Sequence, residues 1–189
     1  RVSAKANYQL DLIPPTVVCK NTSVFLNVQG TAGISAAQVF QSGTDNCGVV
    51  APASVTPNAF DCSKIGANSV TLTANDGNGN NATCTATVTV VDNLAPVLVC
   101  KAFTALLNSA GTVSITTANV FQSGTDNCGV VNMQSVSPNT FTCASLGNQA
   151  VTLTGNDGHG NTGTCQATVT VVDKITPVSN INEEVFKIK

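Results

Sequence analysis

The sequence predicts an all-β fold made of the same small β-sandwich twice over. Three observations carry this: an internal repeat, a composition suited to strands and tight turns, and short alternating segments between turn signals. Cys19, Cys47, Cys62 and Cys84 recur as Cys100, Cys128, Cys143 and Cys165, with one constant spacing between counterparts. Pro15 matches Pro96, Asp76 matches Asp157 and Asp92 matches Asp173 in the same register, and the run VFQSGTDNCGVV stands unchanged at 39–50 and 120–131. The two core repeats therefore span 12–92 and 93–173. Residues 1–11 read as the end of a preceding repeat or as a donated strand. Residues 174–189 read as a linker, the start of a next segment or a tail, because Ile181 stands where a third repeat would have its first cysteine.

Within one repeat the elements follow in order. Thr16–Lys20 and Ser23–Val28 alternate apolar and polar residues, as a strand with one buried face requires. Ile34–Phe40 fits a short helical turn. Val49–Thr56 is a strand that Pro57 ends, since proline cannot donate to a ladder. Asn68–Asn75 places Val70 and Leu72 on one face. Asp76-Gly-Asn-Gly-Asn80 is a turn signal. Thr83–Val91 is the longest strand, with Cys84, Ala86, Val88 and Val90 pointing inward. Several short strands in about 80 residues make a sandwich.

Composition narrows the function. Charged residues are 10% of the chain, aromatics 4%, and the formal net charge is −2. No basic surface exists to neutralise phosphates, so nucleic acid is not an expected partner, and no apolar run is long enough for a membrane span. His159 is the one histidine, and Asn78 holds its position in the first repeat, so a repeated Ser-His-Asp site is excluded. The glycines Gly77 and Gly79 precede a strand rather than a helix, unlike a phosphate-binding loop. The chain is expected not to be an enzyme.

Four cysteines per repeat, spaced without a Cys-x-x-Cys pair, fit two disulfides better than zinc. Even cysteine counts in small domains with modest cores mark an oxidising compartment. Four cysteines allow three pairings; the favoured set is Cys19–Cys84 with Cys47–Cys62, and Cys100–Cys165 with Cys128–Cys143. By chain entropy the two bonds of a repeat are worth roughly 4 and 3 kcal/mol.

The residue order Pro-Pro-x-x-x-Cys, Asp-Asn-Cys-Gly, a lone Cys, Val-Thr-Leu-Thr, Asn-Asp-Gly-x-Gly-Asn and Cys-x-Ala-Thr-Val-Thr-Val-Val-Asp resembles the hyalin repeat (HYR). The Thr/Val/Asn-rich flavour is similar to the arrays in adhesins of gliding bacteria exported by type IX secretion. The resemblance covers about 12–173. It implies immunoglobulin-like sandwiches, an extracellular cell-surface location, and an adhesive or spacer role with no catalytic residues to carry over.

Two readings of the acidic loops stay open. Asp45–Asn46 and Asp126–Asn127 are Asx turns whose side chains satisfy backbone N–H groups, or they belong to calcium sites built from Asp45, Asp76, Asn78, Asn80, Asp92, Asp126, Asp157 and Asp173, since hard cations take carboxylate and amide oxygens. Lys20 and Lys101 read as exposed charges that blunt an edge strand. Asn21-Thr-Ser and Asn81-Ala-Thr fit the glycosylation pattern but do not recur between repeats. The expected partners are neighbouring repeats of the same chain. The alternatives are a module for surface glycans and a filament subunit in which residues 1–10 and 180–189 are donated to neighbouring subunits as strands.

Overall fold

A computed structural model describes residues 10–174; the donated-strand readings of 1–9 and of the tail from 175 lie outside the described residues. The chain divides into two compact units. The first holds the described residues up to Ala95 together with Asp126–Val130 and His159–Asn161. The second holds Pro96–Thr125, Val131–Gly158 and the described residues from Thr162. Two loops of the second sequence repeat are thus part of the first unit, a division that the boundary expected at Asp92 does not make.

The first unit runs β1 (Thr16–Cys19), β2 (Thr22–Phe25), β3 (Thr31–Gly33), α1 (Ala36–Val39), β4 (Phe40–Thr44), β5 (Ala51–Thr56), β6 (Ala59–Asp61), a 3-10 turn (Cys62–Lys64), β7 (Gly66–Asn75) and β8 (Asn81–Val91). One sheet has the order β2-β8-β7-β5, and β1 pairs with β4 while β3 pairs with β6. The β7–β8 hairpin is its longest element, in register from Gly66 opposite Val90 to Asn75 opposite Asn81. β2 runs parallel to β8, so this edge is not a simple meander.

The alternation read from the sequence decides which side chains are buried. Val70, Leu72 and Ala74 on β7 and Ala86, Val88 and Val90 on β8 line the core. Val24, Leu26, Ile34, Val39, Val55 and Phe60, from the other strands, the segments that follow them and α1, close it. The helical expectation at Ile34–Phe40 resolves into a single turn with Ser35 as N-cap: Gln38 Oε1 accepts from the Ser35 backbone N–H at 2.7 Å, half of a capping box. Val39, fully buried, is the turn's contribution to the core. β3, β4 and β6 are not evident from pattern: they are short, and Gln41-Ser-Gly-Thr44 shows no apolar alternation.

The second unit repeats the plan as β9 (Val97–Cys100), β10 (Phe103–Leu106), β11 (Thr112–Ser114), α2 (Thr117–Val120), β12 (Phe121–Thr125), β13 (Asn132–Ser137), β14 (Thr140–Thr142), a 3-10 turn (Cys143–Ser145), β15 (Gly147–Asn156) and β16 (Thr162–Val172). The sheet order is β10-β16-β15-β13. Its core is Ala105, Leu107, Ile115, Val120, Val136, Phe141, Val151, Leu153, Ala167, Val169 and Val171.

The disulfides depart from the expected set. Cys19–Cys84 and Cys100–Cys165 each join the opening strand of a repeat to its closing strand, with Cα atoms 5.8 Å apart. Neither Cys47–Cys62 nor Cys128–Cys143 forms. Instead Cys62 bonds to Cys128 across 66 residues, with Cα atoms 5.3 Å apart, and Cys47 and Cys143 are free and exposed. The physical reason is placement. Cys47 lies in the loop after β4 and Cys62 in the turn after β6, whereas the Asp126–Val130 loop carrying Cys128 belongs to the first unit, beside that turn.

Candidate functional site

Two loops of the first unit gather at the segment that leads into β1. Asp76, at the head of the β7–β8 turn, is 2% exposed. Its Oδ1 accepts from the backbone N–H groups of Asn78 at 2.8 Å and of Gly79 and Asn80 at 3.1 Å, and its Oδ2 accepts from Asn80 Nδ2 at 2.6 Å. Gly77 and Gly79 make the turn possible, at φ of 83° and 110°, where a side chain is disfavoured. Burial alone would push the Asp76 carboxyl up, but the hydrogen bonds from Asn80 and Asn78 outweigh it and hold its pKa below the ordinary 3.8.

Asp45 opens the DNCG loop, and its Oδ2 accepts from the Cys47 backbone N–H at 2.9 Å, an Asx turn. Its Oδ1 is buried and has no hydrogen-bond partner among the described residues. Asp11 completes the cluster from the chain preceding β1. Its Oδ1 accepts from the Ile13 N–H at 3.1 Å, and its Oδ2 from Asn78 Nδ2 at 3.3 Å. Asn80 Nδ2 also donates to the Asp11 carbonyl at 3.2 Å. Carboxylate oxygens of Asp11, Asp45 and Asp76 lie within 4.8 Å of one another.

The same wiring returns around Asp92, the counterpart of Asp11. Asp92 is 5% exposed. Its Oδ1 accepts from the Leu94 N–H at 3.2 Å and from Asn127 Nδ2 at 3.1 Å, and Asn161 Nδ2 donates to its carbonyl at 3.2 Å. Asp126 Oδ2 caps the Cys128 N–H at 2.8 Å, as Asp45 caps Cys47. Asp92 Oδ2 and Asp126 Oδ1 are buried without hydrogen-bond partners among the described residues. His159, in the position of Asn78, places Nδ1 at 3.8 Å from Asp92 Oδ2. Asp157 is buried at the head of the β15–β16 turn, and Asp173 is exposed just after β16.

Of the expected ligands, the structure brings Asp45 and Asp76 together and adds Asp11, which the sequence reading did not include among them. Its place one repeat ahead of Asp92 was the available signal. Asn78 and Asn80 use Nδ2 to donate to the Asp11 and Asp76 carboxylates. The donor set of three carboxylates, one with a buried oxygen that no N–H or O–H reaches, suits a hard divalent cation such as calcium. A carboxylate oxygen desolvated without a partner is costly, and a bound cation would offset that cost.

Residues 10–90 match the family model of the HYR domain. The chain is 29% identical over 169 residues to hyalin of Strongylocentrotus purpuratus, covering 87% of this chain and 14% of that protein. It is 28% identical over 179 residues to hyalin of Lytechinus variegatus, covering 92% and 34%. The chain thus spans a minor part of either relative. Among solved structures, human protocadherin-24 EC1-2 superposes with a TM-score of 0.42 at 16% identity, over 86% of this chain and 100% of that one, a likeness too slight to carry function. The fold and the repeat define a disulfide-bonded, all-β tandem module that is similar to the HYR domain over residues 10–90, and disulfides of this kind form and persist in oxidising surroundings. No helix among the described residues is long and apolar enough to cross a membrane.

Proposed function

We propose that this chain is a spacer segment of a longer adhesion-type extracellular array, and that calcium held by Asp11, Asp45 and Asp76, and again around Asp92 and Asp126, firms the joints where one repeat follows another. The Cys62–Cys128 bond carries the spacer reading: it ties a turn of the first sequence repeat covalently to the DNCG loop of the second. The duplicated acidic wiring with its buried, unpartnered oxygens supports the calcium. The relatives above are sea-urchin proteins, so a gliding bacterium is not the setting that they favour. A glycan-binding module would display clustered aromatic faces, and among the described large hydrophobics the exposed aromatic is Phe25 alone.

The test is the thermal unfolding midpoint of the full chain in calcium, in EGTA, and in EGTA with reductant. Calcium at about 100 times its dissociation constant stabilises by about 2.7 kcal/mol, so chelation should lower the midpoint by about 5 °C or more. A midpoint that chelation leaves in place and reductant lowers would remove calcium from the proposal and leave a disulfide-held spacer. Unchanged midpoints in all three would overturn both parts.

A further inference from the structure

The two exposed thiols stand in the register of the bond that joins the repeats. Cys143 is the second-repeat counterpart of Cys62, and Cys47 is the first-repeat counterpart of Cys128. Each free cysteine is therefore one half of the Cys62–Cys128 arrangement with the other half missing.

The local structure on each side is already formed. Cys62 opens a 3-10 turn, and its Sγ lies 3.6 Å from the carbonyl of Gly30 and 3.4 Å from that of Asn127. Cys143 opens the same turn, with Sγ 3.7 Å from the carbonyl of Gly111, the counterpart of Gly30. Gly30 and Gly111 share the left-handed conformation, at φ of 70° and 73°. At Gly30 an added Cβ would meet the Asn127 carbonyl oxygen at 2.6 Å, whereas at Gly111 it would meet only Cys143 Sγ, at 2.8 Å. The surface that takes the DNCG loop at Gly30 is thus present at Gly111 and, among the described residues, uncovered. The other half shows the converse: Asn127 and Cys128 are half-buried, while Asn46 and Cys47, in the identical run, are exposed. Cys47 sits in a hollow with Leu10, Leu12 and Ile13, and those three apolar side chains are 74%, 71% and 58% exposed.

We infer that Cys143 and Cys47 are inter-repeat half-cystines: Cys143 takes the DNCG-loop cysteine of a further repeat of this kind on its C-terminal side, and Cys47 takes the turn cysteine of one on its N-terminal side. This rests on the reading of the chain as part of an array. In that array the strand-to-strand bond lies within each repeat, and the second bond runs from each repeat to the next. Formation needs an oxidant, here a small-molecule disulfide such as oxidised glutathione. The two thiols lose two protons and two electrons, the protein S–S bond forms, the glutathione S–S bond breaks, and two glutathione thiols leave.

The test inserts a second copy of residues 93–173 directly after Asp173 in the full chain, so that Cys143 has a DNCG loop following it at the natural spacing. The protein is refolded in a glutathione redox buffer, alkylated, and mapped without reduction. The expected result joins Cys143 to the DNCG cysteine of the inserted copy and leaves two alkylated cysteines, Cys47 and the turn cysteine of the copy, rather than four. Replacing the inserted loop cysteine by serine should return Cys143 to the alkylated set. An inserted copy that forms its own strand-to-strand disulfide while Cys143 stays alkylated overturns the inference and leaves the array reading intact. An inserted copy that lacks that internal bond has not folded as a repeat, and overturns the array reading and the inference together.

Discussion

At the residue scale, Asp76 shows how a carboxylate can be both a turn organiser and a member of an acidic cluster. Its oxygens are occupied by the amides of the turn it heads, so ionisation is favoured in the folded state despite burial. Asp61 is held low more simply: Ser63 donates to it through its hydroxyl at 2.6 Å and its backbone N–H at 2.9 Å, capping the 3-10 turn. Thr142, at the same place in the second repeat, cannot ionise. A group whose folded pKa is depressed contributes stability above its unfolded pKa and loses it as pH falls through the folded value. The midpoint should therefore be level above about pH 5 and fall progressively below about pH 4. Asp76→Asn should flatten that acid limb while lowering the midpoint at neutral pH, because an amide nitrogen then faces the Asn80 amide. An acid limb unchanged in Asp76→Asn, followed by circular dichroism against pH, would locate the acid sensitivity elsewhere. Gly30 gives a second residue-scale expectation. It lies at φ 70° under the DNCG loop, and Gly30→Ala combines a disfavoured backbone with contacts to Asn127 and Cys62, so it should cost about 1–3 kcal/mol in urea unfolding. The control Gly66→Ala, also at positive φ but in open space, should cost less.

At the element scale the β7–β8 hairpin and its counterpart are the parts most legible in the sequence. Val70, Leu72, Ala86, Val88 and Val90 alternate with Thr and Ser, and a two-residue period admits one assignment of faces. Leu72, with no exposed surface, should lose about 2–5 kcal/mol on replacement by Ala in chemical denaturation. A loss under about 1 kcal/mol would mean that the surrounding core collapses onto the site. The short strands carry no such pattern. β3 and β6 are Thr-Ala-Gly and Ala-Phe-Asp, too short for a period, and are held by each other's backbone. β4 is Phe-Gln-Ser-Gly-Thr, and it is a strand because β1 lies beside it. The acidic cluster was half legible for a related reason. Asp45 and Asp76 head recognisable turns, but Asp11 joins them only through the fold, from a segment far ahead of both in sequence. The cysteine pairing shows the same limit: spacing within one repeat suggests partners inside it, and nothing local announces that Cys62 reaches into the next repeat.

At the scale of the whole molecule, the Cys62–Cys128 bond closes 66 residues of chain and places a loop of one sequence repeat inside the compact unit of the other. Chain entropy sets its worth at roughly 4 kcal/mol. The bond should act locally on the Asp126–Val130 loop as well as on overall stability, beside hydrogen bonds that include Asn127 Nδ2 to Asp92 and to the Asn27 carbonyl, and the Asp126 cap on Cys128. The second unit has its own core and its own Cys100–Cys165 bond, neither of which uses the loop. The double variant Cys62→Ser with Cys128→Ser leaves no new thiol to mispair with Cys47 or Cys143. Its amides at 126–130 should exchange with deuterium at least tenfold faster than in the parent, while those of Val151, Leu153 and Val169 in the second core keep their protection. Protection lost throughout the second unit would show instead that this bond underwrites the folding of the repeat that follows it, and that the repeats of the array are not independent folding units. Unchanged exchange at 126–130 would show that Asp92 and Asn127 hold the loop by themselves, leaving the covalent tie to matter only when the chain is pulled.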